Sequence, residues 1–178
     1  MRIFFRVDNE MLTDYIRYMF PASGEDGIPV VKTGTAFGEL LIGHVRESER
    51  PVKVPAGDNV IELEIPVTNA TQSLANRFIY YSSGDMLRLN AALKALFDID
   101  LQAFYMKAEG LGFRKKDIID AFIIGRGLVS VDPYDAIHKR VYRREQEKRS
   151  KVSKILLRKV YYIYESVDMA GLNSTGKR

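Results

Sequence analysis

The amino-acid sequence predicts an α+β protein with two parts. A small antiparallel-sheet unit occupies residues 1–82. An α-helical half occupies residues 83–170 and closes with a long basic helix, followed by a polar tail (171–178) expected to be disordered. Three observations carry this reading. Met1–Val7 and Val60–Val67 alternate apolar with polar residues, the period of a half-buried strand. After Ser82-Ser83-Gly84-Asp85 the apolar residues recur every three or four positions, the period of a helix. From Asp132 to Tyr164 the chain opens with a helix-start signal and then gathers most of its positive charge.

In the first part, Met1, Ile3, Phe5 and Val7 stand against Arg2, Phe4 and Arg6 as a strand. Asp8 opens a helix through about Phe20, with Met11, Leu12, Tyr15, Ile16 and Met19 at helical spacing, and Pro21 ends it. Between Val30 and Tyr81 the pattern predicts strands. The first is Phe37–Val45, whose Gly38 and Gly43 suit a bulge or close backbone packing. Val52 and Val54 pair with Val60–Val67 in an expected hairpin closed by the Pro55–Asn59 loop, and Phe78–Tyr81 adds a short aromatic strand.

In the second part, Leu87, Leu89, Ala92, Leu93 and Leu96 form an amphipathic helix with Ser83 or Asp85 as its cap. An acidic break is expected at Asp98–Asp100, after which Leu101–Ala108 continues helically. Gly110–Phe113 is a turn. Lys115–Ile124 is a short helix with Ile118, Ile119, Phe122 and Ile123 inward, stopped by G-R-G at 125–127. Asp132 then caps the long helix, Pro133 takes its first position, and Asp135 sits near the positive end of its dipole. Tyr134, Ile137, Val141, Val152, Leu156, Val160 and Ile163 mark its apolar face, whereas Arg143–Lys151 contains no apolar residue.

With 178 residues, 46% hydrophobic and 28% charged, the chain has the composition of a soluble globular protein of one domain or two small ones. No apolar run approaches the roughly 20 residues that span a bilayer, and the N-terminus lacks a signal-peptide core. Cysteine is absent, which excludes disulfides, thiolate catalysis and thiolate zinc sites. A cytoplasmic location is the expectation. Residues 133–160 hold ten Lys/Arg and three acids, a net +7, which leaves −3 for the rest of a chain whose total is +4. Positive charge gathered on one element of an otherwise acidic body points to an acidic partner. The bland alternative is a solvated helix whose Lys and Arg stems cover apolar surface.

The helices from Leu101 to Tyr142 are similar to a helix-turn-helix arrangement, with Arg114–Ile124 as the supporting helix and a reading helix from Pro133. Arg114, Lys115 and Lys116 at the start of the supporting helix are placed to reach phosphates. The connection from Gly125 to Asp132 is about eight residues, longer than the 3–4 of the simple motif. K-K-D-I-I-D-A-F followed by Y-D-A-I-H-K-R-V-Y-R-R-E resembles the small helix-turn-helix DNA-binding proteins of prophages and mobile elements, over residues 114–145 only. That resemblance implies groove contacts by Lys139, Arg140, Arg143 and Arg144. Lys148, Arg149, Lys151 and Lys154 extend a phosphate track. At about 100° per residue, Arg140, Arg143, Arg144, Lys151, Lys154 and Arg158 share one sector beside the apolar face, with Glu147 the one acid among them. Tyr142 and His138 lie nearby.

Catalytic patterns are weak. His44 and His138 lack metal-ligand spacing, and G-T-A-F-G at 34–38 lacks the ending of a phosphate-binding loop. Asp58, Glu62 and Glu64 superficially suggest a metal-dependent nuclease, yet Glu62 and Glu64 share the solvent face of one strand. Asp117 and Asp120 read as a solvated helix face. The expectation is therefore a non-enzymatic protein that binds nucleic acid, duplex DNA first, with no cofactor, metal or membrane partner. The alternative is a structural or assembly subunit of phage or mobile-element type, a homo-oligomer whose long helix packs against other copies.

Overall fold

The computed structural model of the protein describes residues 1–22, 26–130, 133–143, 145–147 and 151. Its elements in chain order are β1 (Arg2–Arg6), α1 (Glu10–Met19), α2 (Ala36–Gly43), β2 (Arg46–Ser48), β3 (Val60–Glu64), β4 (Phe78–Tyr80), α3 (Ser83–Gly110) and α4 (Lys115–Gly125). A helix over 133–143 and 145–147, here the basic helix, comes after them. The chain divides into two compact units, 1–134 and 135–178. The protein is α+β. Among the described residues no helix is long and apolar enough to cross a membrane.

In β1 the alternation works as the pattern dictates: Ile3 and Phe5 are fully buried while Arg2 and Arg6 are exposed. β3 answers it with Ile61 and Leu63, and the two strands pair antiparallel, Ile3 opposite Leu63 and Phe5 opposite Ile61. The ladder is closed by Val7 N–H donating to the Asn59 carbonyl at 2.8 Å and Ile65 N–H to the Met1 carbonyl at 2.7 Å. β2 and β4 form a second antiparallel pair, Arg46 opposite Tyr80. Among the helices, α1, α2 and α4 each pack against α3. A single stripe of α3, Leu89, Leu93, Phe97, Leu101 and Tyr105, is buried along its length. Phe97 is its centre, edge-on to Tyr15 of α1 at 5.1 Å and to Phe122 of α4 at 5.7 Å. Burying one such ring stabilises the fold by about 1.5–3 kcal/mol.

Polar residues fix how these layers meet. Asn90 of α3 accepts the Asp8 N–H and donates to the Arg6 carbonyl, both at 2.9 Å, so it ties the end of β1 to the helix. Asp85 completes a capping box with Ser82, which supplies the N-cap of α3 in place of the expected Ser83 or Asp85. The same carboxylate takes Arg46 of β2, Nε to Oδ2 at 2.5 Å. The Arg46 and Ser82 hydrogen bonds hold the Asp85 carboxyl well below the ordinary carboxylate range.

Three expectations are corrected. Residues 37–43 are helical, not a strand: Thr35 caps α2 by accepting the Gly38 N–H at 3.1 Å, and Phe37 and Leu41 bury at i, i+4 spacing. The expected hairpin closed by Pro55–Asn59 does not form, because β3 pairs with β1. Val52 and Val54 lie exposed outside any strand, between Pro51 and Pro55, which have no N–H to give a ladder. Finally, α3 runs unbroken through Asp98–Asp100, since Asp100 is matched by Arg126 and does not face an apolar layer alone. The helix expected to open at Asp8 begins at Glu10, with Asn9 as its cap through the Leu12 N–H. Asp132, the stretch beyond Lys151 and the 171–178 tail lie outside the described residues.

Candidate nucleic-acid interface

Pro133 is the first described residue of the basic helix, and a proline's missing N–H is best tolerated in a helix's first turn. One side of it is apolar: Ile137 is fully buried and Val141 is 7% exposed, one turn apart. The charged side chains are spread over the rest of the helix, Lys139 and Arg143 far from that stripe and Arg140 beside it. Arg143 and Lys151 are exposed and Arg140 is half-buried. Lys139 is exposed too, but pairs within its own helix with Asp135 one turn back. Tyr142 is 50% exposed and its hydroxyl accepts from Gln146 Nε2 at 3.0 Å. Arg144, Lys148, Arg149 and Lys154 lie outside the described residues.

The second set of cations opens α4. Arg114 is the N-cap residue and makes no side-chain cap; its guanidinium pairs instead with Asp117 at 3.1 Å. Lys116 is exposed and Lys115 half-buried. α4 is held from below by Ile118, Ile119 and Phe122, all buried against the α3 side of the core, where Phe122 meets Phe104 at 5.5 Å. Arg114, Lys115 and Lys116 therefore stand together on a firmly seated helix, at its solvent end.

The segment after α4 was not legible as a site. Arg126, between two glycines, makes a two-toothed pair with Asp100 of α3 at 2.7 and 2.8 Å. Its guanidinium lies over the Tyr18 ring at 4.6 Å and near Phe122 at 5.4 Å. The Asp100 bond raises the Arg126 pKa further, and burial, then Asp100, pushes the Tyr15 phenol up. A few residues on, the buried Asp14 carboxylate of α1 accepts the N–H groups of Val129 and Ser130 at 3.0 and 2.9 Å. Gly127, at φ +60°, makes the bend that brings them there. The segment leading to the basic helix is thus clamped at both ends by charged groups of other helices. The signals in the sequence were slight: an acid inside the apolar pattern of α1 and an arginine inside a helix stop.

His44 serves local structure. It caps α2 at its C-terminus, its Nδ1 2.9 Å from the Leu40 carbonyl. Glu62 pairs with Arg2 at 3.6 Å. Among the described residues no three His, Cys, Asp or Glu gather closely enough to hold a metal.

No family model, curated protein or solved structure matches the chain.

Proposed function

We propose that the protein binds double-stranded nucleic acid, duplex DNA first, through the charged side of the basic helix. One observation carries the reading: the helix buries Ile137 and Val141 and leaves Arg143 exposed well away from them, with Lys151 exposed farther along the chain. Cations carried on one helix keep their spacing, and pre-arranged cations release counterions from a phosphate backbone at little ordering cost. Lys139 and Arg140 add to the cations of the same helix. Arg114, Lys115 and Lys116 supply a second group of cations on α4, the position of the supporting helix in a helix-turn-helix reading. Phosphate contacts of this kind position the protein and carry no sequence information by themselves.

The test is fluorescence anisotropy of a labelled random duplex at several salt concentrations. The expected result is binding that weakens with log salt at a slope of about −0.9 per phosphate contact, with about four or more contacts. Absence of binding at low salt overturns the reading.

The second reading, an assembly subunit, draws on Ile124 and Val129, which are 80% and 85% exposed beside the end of α4. Large oligomers at micromolar protein with no response to DNA favour it over the first.

A further inference from the structure

The turn between α3 and α4 carries a second surface that the basic helix does not explain. Gly112, at φ +86°, reverses the chain, and on either side of it stand Leu111 and Phe113, 70% and 60% exposed. Neither belongs to the buried stripe of α3 or to the inward face of α4. Two large apolar side chains at the tip of a helical hairpin contribute nothing to the core. Cations surround them: Lys107 one turn before, Arg114 next to Phe113, and Lys116 two residues on, all exposed. The guanidinium of Arg114 is 87% exposed, and its pair with the half-exposed Asp117 is of the solvated i, i+3 kind that a phosphate readily replaces.

We propose that this tip is a contact for unpaired nucleotides, in which Phe113 stacks on an exposed base, Leu111 covers the base edge, and Arg114 and Lys116 hold the flanking phosphates. The inference rests on the nucleic-acid reading above and narrows its substrate to strands with unstacked bases: a bubble, a junction or a single strand. An aromatic ring alongside backbone cations is the arrangement that binds single strands irrespective of sequence. In a closed duplex the base faces are covered, so the ring gains a partner only after a step is pried open. Charge argues for discrete phosphates over an anionic bilayer. From Lys107 to Asp117 four cations face two acids, and a net +2 draws weakly on a continuous charged surface.

The experiment uses the whole chain and three labelled probes in DNA and RNA form: a closed duplex, the same duplex with a central mismatched bubble, and a single strand. The protein should bind the bubble about tenfold or more tighter than the closed duplex, the scale of one base–aromatic stack. Phe113→Ala should abolish that preference while leaving duplex affinity and the thermal midpoint unchanged; Phe113→Tyr should keep it. The chain has no tryptophan, so Phe113→Trp adds a single indole whose emission, excited apart from the tyrosines, should be quenched by the bubble and the single strand and not by the duplex. DNA and RNA probes that behave alike support recognition of the shared base and phosphate. Duplex binding with no bubble preference, or a preference that survives Phe113→Ala, overturns this proposal and leaves the parent reading standing. Failure to bind any probe overturns both. Phe113-dependent binding to phosphatidylserine vesicles, with no bubble preference, assigns the tip to a membrane instead.

Discussion

Asp14 sits 4% exposed in α1 and serves residues far along the chain, Val129 and Ser130. Removing its side chain leaves the buried Ser130 N–H, and the part-buried Val129 N–H, without an acceptor, so Asp14→Ala should cost about 1–3 kcal/mol in urea unfolding. Asp14→Asn, which keeps one oxygen, should recover part of that loss. Asp85 makes a different prediction. Its carboxyl titrates below the ordinary range in the folded state because Arg46 and Ser82 bind the ionised form. The unfolded chain therefore takes up the proton first as pH falls. The stability from this cluster is complete above about pH 4 and is lost progressively below it. Asp85→Asn should flatten the dependence of thermal midpoint on pH between about 2 and 5, a comparison made by calorimetry of both proteins. Apolar alternation identified Ile3, Phe5, Ile61 and Leu63 as core from sequence, because a strand's period is local. Asp14 and Arg126 escaped, because their partners lie more than a hundred and more than twenty residues away in the chain and no local period encodes them.

Among the elements, α2 shows where pattern reading fails. Eight apolar-rich residues are short enough to serve either a strand or two turns of helix. The decision falls to the Thr35 cap and to space at Gly38, where a Cβ would lie 2.0 Å from the Lys32 carbonyl oxygen. Gly38→Ala should therefore destabilise the protein by about 1–3 kcal/mol in denaturant unfolding, against the gain that alanine ordinarily brings to a helix. Unchanged or increased stability would mean that the Lys32 backbone moves aside freely. α3 erred in the opposite sense. Its three-residue acidic stretch looks like a break only until Arg126 is brought to Asp100. α4 was legible because its stop, the glycines around Arg126, acts within one turn.

For the molecule as a whole, nucleic-acid affinity should reside in a surface and not in the core. Arg140→Ala, Arg143→Ala and Arg144→Ala together should weaken duplex binding at least about tenfold and lower the salt slope by about two to three contacts. Unfolding temperature should stay nearly constant, since Arg143 is exposed and Arg140 only half-buried. Unchanged anisotropy titrations in the triple variant would remove this face from the binding surface. Charge clustering made these residues visible in the sequence. The exposed tip at Leu111 and Phe113 was not, because an apolar residue in a turn looks the same on paper whether it is buried or bare.

The clasp between Asp14 and the Val129–Ser130 backbone also bears on how the protein can be divided. A fragment cut before Val129 would keep the acid inside unit 1 and discard both of its backbone donors, leaving the pair with Arg17 at 3.2 Å. A fragment cut at 134 would retain them. The natural seam of this protein therefore lies after the clasp, even though α4 already ends at Gly125.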